Sequence, residues 1–174
     1  MLKNNNIFLV GPMGAGKTTI GRLLANSLNL EFVDLDAEIE QRCGADIPWI
    51  FDVEGEDGFR RREGQLLDEI TRRKGILLAT GGGVVLAGNN QELLKQRGYV
   101  VYLSASVDQL LERTAHDRNR PLLQVDNPRA VIEKLTSDRD PLYRDVADLV
   151  VITQRRKPQL VAENIVEEVR YLMS

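Results

Sequence analysis

Four runs of consecutive apolar residues punctuate the chain: Ile7-Phe8-Leu9-Val10, Ile76-Leu77-Leu78-Ala79, Val100-Val101-Tyr102-Leu103 and Leu149-Val150-Val151-Ile152. Each is short and unalternating, the pattern of a strand buried on both faces. Glu31-Phe32-Val33-Asp34 supplies a fifth, more polar strand. Between them apolar residues recur at helical spacing, first as Ile20, Leu23, Leu24 and Leu28, with Asn29 as terminator. Asp36 is expected to cap the next helix, which carries Ile39 inward and ends near Cys43-Gly44. Asp46 caps a short helix with Pro48 in its first turn, and residues 54–58 read as a turn. A longer helix then carries Phe59, Leu66, Leu67 and Ile70 and is closed by Gly75. Further helices are predicted from Asn89 or Asn90 to about Arg97, from Ser106, from Arg129 to about Asp138, and from Pro158 to Leu172. Asp140-Pro141-Leu142-Tyr143 reads as a turn. Strands alternating with helices mean a doubly wound α/β sheet, mostly parallel, and 174 residues suit one domain.

Such sheets bind ligands at the carboxyl ends of their strands, and three of those ends carry chemistry. After the first strand, Gly11-Pro12-Met13-Gly14-Ala15-Gly16-Lys17-Thr18 fits G-x-x-x-x-G-K-[ST] between a strand and a helix. Its glycines let backbone N–H groups fold around phosphate oxygens at a helix N-terminus; Lys17 would reach the β- and γ-phosphates and Thr18 would ligate Mg²⁺. A nucleoside triphosphate is the expected ligand. The second strand ends in Asp34 and Asp36, two apart and so on one side of an extended strand, where they could hold Mg²⁺ waters or accept a hydroxyl proton. No other apolar strand ends in Asp, so this pair is the obvious metal-side supply. After the third strand, Gly81-Gly82-Gly83 favours close approach of a small ligand.

The arginines form three sets. Within Arg60-Arg61-Arg62, placed near a helix start, at least one should have an anionic partner. Arg118 and Arg120 lie in a polar loop before Pro121 that has the character of a lid over phosphate. Arg139, and Arg155 and Arg156 with Lys157, read as surface charge on spacing alone.

Composition narrows the setting. Net charge is −3, from 23 basic against 26 acidic residues, so no nucleic-acid surface is expected. The one cysteine, Cys43, excludes an intramolecular disulfide, and with a single histidine it argues against a protein zinc site. Residues 3–6 are polar and no apolar signal region precedes the first strand. Residues 76–87 are uncharged but too short to span a bilayer. A cytoplasmic protein without a membrane partner is expected, and no apolar surface stripe argues against a monomer.

The motifs together resemble one family, shikimate kinase. The resemblance is carried in order by G-P-M-G-A-G-K-T-T-I-G-R, the D-L-D pair, F-R-R-R-E at 59–63, G-G-G at 81–83, R-P-L-L at 120–123 and R-D-P-L-Y at 139–143. It implies a P-loop kinase fold, three-layer α/β/α with a five-stranded parallel sheet, like the nucleoside-monophosphate kinases. It also implies a single kinase domain over 1–174, with substrate-binding helices at about 36–62 and a lid at about 112–125. The activity implied is transfer of the ATP γ-phosphate to the 3-hydroxyl of shikimate, giving shikimate 3-phosphate for chorismate and aromatic amino-acid biosynthesis. By resemblance, Gly14, Ala15, Gly16, Lys17, Thr18 and Thr19 hold the ATP phosphates, with Mg²⁺ on Thr18 and Asp34. Asp36, Arg60, Gly82 and Arg139 bind shikimate, the two arginines gripping its carboxylate as planar forks. Lys17, Asp36 as base and Arg120 in the lid are the catalytic set, and Arg113 and Arg156 flank the adenine. Thr18 stands where many members have Ser, and both offer a hydroxyl. Arg61-Arg62 lengthens the arginine run, so only the resemblance selects Arg60.

Two rivals remain at this level. A gluconate or nucleoside-monophosphate kinase would share the fold, although two separated arginines and three glycines suit a compact anionic polyol better. A non-catalytic nucleotide-binding module would bind ATP without acceptor-dependent turnover; the acidic pair and the lid arginines argue against it.

Overall fold

The computed structural model describes residues 2–115 and 123–173. Five parallel strands, β1 (Ile7–Val10), β2 (Glu31–Asp34), β3 (Ile76–Ala79), β4 (Tyr99–Ser104) and β5 (Leu149–Ile152), stand in the order β2-β3-β1-β4-β5. β1 lies at the centre, so connections leave it toward β2 on one side and, after β3, pass to β4 on the other. Every residue of β1 and β3 is buried, as their unbroken apolar runs require.

Alternate residues of the central strands feed two cores. Ile7 and Leu9 face α1 (Lys17–Leu28) and α7 (Pro158–Met173), where they meet Ile20, Leu24, Val161 and Ile165. Phe8 and Val10 face α2 (Leu35–Cys43), α3 (Ile47–Ile70), α4 (Gly88–Arg97) and α6 (Pro128–Val146) through Ile39, Leu67, Leu94 and Tyr143. α5 (Val107–Thr114) joins the first of these cores through Leu110. The result is the expected three-layer α/β/α arrangement. No helix among the described residues is long and apolar enough to cross a membrane.

Several local expectations are corrected. Asp34, rather than Asp36, caps α2: its carboxylate accepts from the Ala37 N–H at 3.1 Å, and Asp36 sits in the first helical turn. The strand therefore ends two residues sooner than the two-apart argument needs. The predicted turn at 54–58 shrinks to one residue, Gly55 (φ +74°), which kinks α3 between a half capped by Asp46 and a half carrying the arginines. That helix ends at Ile70 with Thr71 as its cap, and Gly75 instead takes a left-handed conformation just before β3. α4 starts at Gly88, because Asn90 is drawn inward to donate to the Val84 carbonyl. The predicted turn at 140–143 is absent, since α6 runs through Pro141 to Val146. Pro141 is exposed and Leu142 and Tyr143 pack inward, so apolar burial keeps the helix going past a residue that removes one N–H.

Candidate active site

The loop between β1 and α1 is the donor end. Gly16 adopts φ +98°, a left-handed turn that a side chain would strain, and the helix begins at once with Ile20 N–H on the Gly16 carbonyl. That turn aims the first α1 N–H groups, which have no intrahelical acceptor, into the loop. The Lys17 ammonium reaches back over the loop and donates to the carbonyls of Gly11 at 2.5 Å and Pro12 at 2.9 Å. Arg113 of α5 donates to the Gly14 carbonyl at 3.0 Å, so it lies on the loop itself. Arg156 is elsewhere, beyond β5, with Nη1 3.4 Å from the Ile152 carbonyl. Arg118 and Arg120 lie outside the described residues, as does half of the span expected to form a lid.

Thr18 and Asp34 are brought together: the Thr18 hydroxyl donates to Asp34 Oδ2 at 3.0 Å while Oδ1 caps α2. A hydroxyl beside a carboxylate is a hard-oxygen pair, which suits Mg²⁺ completed by waters and phosphate oxygens. Among the described residues no group of three or more His, Cys, Asp or Glu could cage a metal, so an all-protein site does not fit here.

The acceptor end gathers around the three glycines. A Cβ on Gly81 would stand 2.9 Å from Asp36 Oδ1 and 3.1 Å from Glu63 Oε2; one on Gly83 would collide with the Arg60 guanidinium. Absence of side chains at 81–83 is thus what lets an acid pair and an arginine close on the backbone. Arg60 Nη1 donates to Glu63 Oε1 at 3.0 Å, Nη2 reaches Glu56 at 3.2 Å, and the guanidinium lies 5.1 Å from the Phe59 ring centroid. Arg139, only 6% exposed, brings Nη1 to 3.6 Å from the Cβ position of Gly82. Of the arginine run, Arg62 also has a partner: its Nε donates to both oxygens of Glu54, bridging the kink at Gly55.

Glu63, which the sequence pattern F-R-R-R-E carries without assigning it a role, is the fully buried acid of the site. Its Oε2 has no hydrogen-bond partner among the described residues. Burial raises its carboxyl pKa, the Arg60 charge and hydrogen bond oppose that, Asp36 adds to it, and Arg139 opposes it more weakly. The signal was its spacing, three residues after Arg60 and hence on the same helix face. Tyr143 is likewise not signalled by the sequence, because Asp140-Pro141 marks its segment as a turn while the structure keeps it in α6.

Donor and acceptor ends open into one cavity of about 300 Å³, walled by Gly14, Gly16, Lys17, Thr18 and Thr19 on one side and by Asp34, Asp36, Glu40, Thr80 and Gly82 on the other. Asp36 and Gly82 thus stand on the cavity wall. Arg60 and Arg139 are not part of that wall and come up to it behind Gly83 and Gly82. Ala15 is buried beneath the loop.

A family model described as shikimate kinase matches residues 13–170. A shikimate kinase of Pseudomonas paraeruginosa is 58% identical over 167 residues, 96% of this chain and 97% of that one. One of Shewanella amazonensis is 54% identical over 171 residues, covering 98% and 100%. Among solved structures, the shikimate kinase from Acinetobacter baumannii in complex with shikimate superposes with a TM-score of 0.94 at 53% identity, covering 95% of this chain and 93% of that one.

Proposed function

The chain belongs to the shikimate kinase family, and on that premise we propose that it transfers the γ-phosphoryl group of ATP to the 3-hydroxyl of shikimate, a step toward chorismate and the aromatic amino acids. The observation that carries the reading is the shared cavity, with a triphosphate loop on one wall and Asp36 and Gly82 on the other. Phosphoryl transfer needs little covalent help from a protein; it needs two reactants held in line and charge neutralised as it moves.

Each part has a candidate. The loop N–H groups from Gly14 to Thr19 and the Lys17 ammonium hold the triphosphate. Thr18 and Asp34 would hold Mg²⁺, which when bound spreads the charge of the phosphate oxygens. Arg60 and Arg139 take the acceptor carboxylate, Arg60 being steered by Glu63 and Glu56. Asp36 faces the acceptor hydroxyl and accepts its proton as the hydroxyl oxygen bonds to the γ-phosphorus and the bond to the bridging oxygen of ADP breaks. Arg113, seated on Gly14, belongs to the nucleotide end.

A coupled ADP-release assay with shikimate, gluconate and nucleoside monophosphates tests the reading. Turnover that depends on shikimate is the expected result. Turnover on gluconate or a nucleotide in its place, or ATP binding without acceptor-dependent turnover, overturns it.

A further inference from the structure

Two proposed acceptor contacts arise far apart in the chain, Gly82 after β3 and Arg139 within α6, and Tyr143 connects them. The Tyr143 hydroxyl donates to the Gly82 carbonyl at 2.5 Å, and the side chain is 1% exposed. It lies one helical turn beyond Arg139, so both side chains leave α6 on one face. Arg139 in turn brings Nη1 to 3.6 Å from the Cβ position of Gly82. The Tyr143 ring is itself held, its centroid 4.9 Å from that of Tyr102, whose hydroxyl donates to Asp140 at 2.7 Å.

Peptide planarity makes this bond consequential. The Gly82–Gly83 peptide is trans, so fastening its carbonyl toward Tyr143 aims the Gly83 N–H the opposite way. The carbonyls on either side are also engaged, Gly81 by the Val84 N–H at 3.2 Å and Gly83 by the Leu86 N–H at 3.1 Å. Those two bonds are local turns of a stretch that lacks side chains, whereas the Tyr143 bond ties the middle peptide to another layer of the fold. Burial pushes the phenol up to about 12 despite the Arg139 charge beside it, so the donating proton stays in place at any ordinary pH.

We propose that Tyr143 is a positioning residue for the acceptor: its hydroxyl holds the middle glycine peptide and the helix face of Arg139 in one fixed relation, so that both meet the same small anion. The inference rests on the shikimate kinase reading above.

The test is steady-state kinetics of Tyr143→Phe, which keeps the ring and removes the hydroxyl. Leaving a buried carbonyl without its donor should raise the shikimate KM about tenfold, with kcat and the ATP KM unchanged within about twofold. Tyr102→Phe, which removes a neighbouring hydroxyl aimed at Asp140, should leave the shikimate KM within about twofold. An unchanged shikimate KM in Tyr143→Phe, or an equal rise in the ATP KM, overturns the proposal. Should Tyr143→Phe not fold, 3-fluorotyrosine placed at position 143 keeps the hydroxyl; its fluorine resonance should shift when shikimate is added without nucleotide, and a resonance indifferent to shikimate overturns the proposal equally. Wild-type protein without shikimate-dependent turnover overturns the functional reading and this inference with it. Wild-type turnover beside an indifferent Tyr143→Phe overturns the inference alone.

Discussion

The two walls of the cavity are built on different physical plans. The donor wall is backbone: glycine turns, the head of α1 and one flexible ammonium, with Thr18 and Thr19 exposed. The acceptor wall carries Asp36 of α2 and the glycines after β3, and it is backed by side chains from α3 and α6, with Glu63 and Arg139 buried and Arg60 held between two glutamates. A triphosphate is a long, highly charged ligand that many proteins share, and N–H groups plus a dipole suffice to hold it. Choosing one small hydroxy acid needs polar groups fixed in advance, and burial with mutual ion pairs fixes them.

The contrast predicts where substitutions act. The largest effect belongs to Lys17→Ala, since the ammonium reaches over the donor loop and the charge it meets grows in the transition state. Turnover should fall about a thousandfold while the melting temperature stays close to wild type, because Lys17 is not buried and its bonds to the Gly11 and Pro12 carbonyls lie within the loop. A coupled assay beside a thermal melt checks both halves. Substantial residual turnover would mean that the loop backbone carries the transition-state charge alone.

How far the sequence revealed each wall follows from the same division. A backbone site demands glycines and a lysine at set intervals, so Gly11 to Thr18 stands out in a single line of text. The strands were equally plain, because burial on both faces leaves no polar residue within β1 or β3. The acceptor end was hidden because Arg60 and Arg139 are 24 and 103 residues from Asp36, and only their order in a family pattern suggested that they belong together. Two local signals misled. Pro141 marked a turn where apolar packing by Leu142 and Tyr143 carries the helix on, which concealed the partnership of Tyr143 with Arg139. Asp36 looked like a cap because Asp is a good one, but Asp34 stood first in line for the Ala37 N–H.

Intermediate effects belong to the acceptor arginines, and they should separate from each other. Arg139→Ala and Arg60→Ala should each raise the shikimate KM by about tenfold to a hundredfold, the range for a lost charge-assisted hydrogen bond, with the ATP KM unchanged. Only Arg60→Ala should also lower the melting temperature markedly, because it strips the fully buried Glu63 of its ion-pair partner. Shikimate kinetics unchanged in both variants would remove the carboxylate assignment. Equal melting temperatures would show that Glu63 does not depend on Arg60.

The smallest effect is one of pH, and it reads the buried wall alone. Glu63 has a carboxyl pKa raised above its ordinary 4.5, chiefly by burial and in spite of Arg60. A raised value means that the folded protein holds this proton more tightly than the unfolded chain does. Its contribution to stability is therefore fully present below pH 4.5 and is lost as pH climbs through the folded value. Glu63→Gln keeps an acceptor for the Arg60 guanidinium and removes the titration. Relative to wild type, then, the variant should gain in melting temperature between pH 4.5 and neutrality, and least at the acid end. If instead the variant loses ground over that window, the pull of Arg60 and Arg139 outweighs burial and the carboxyl sits below its ordinary value. Lys17→Ala, measured over the same range, should show no such trend, because the exposed donor wall holds no buried acid whose proton folding would trap.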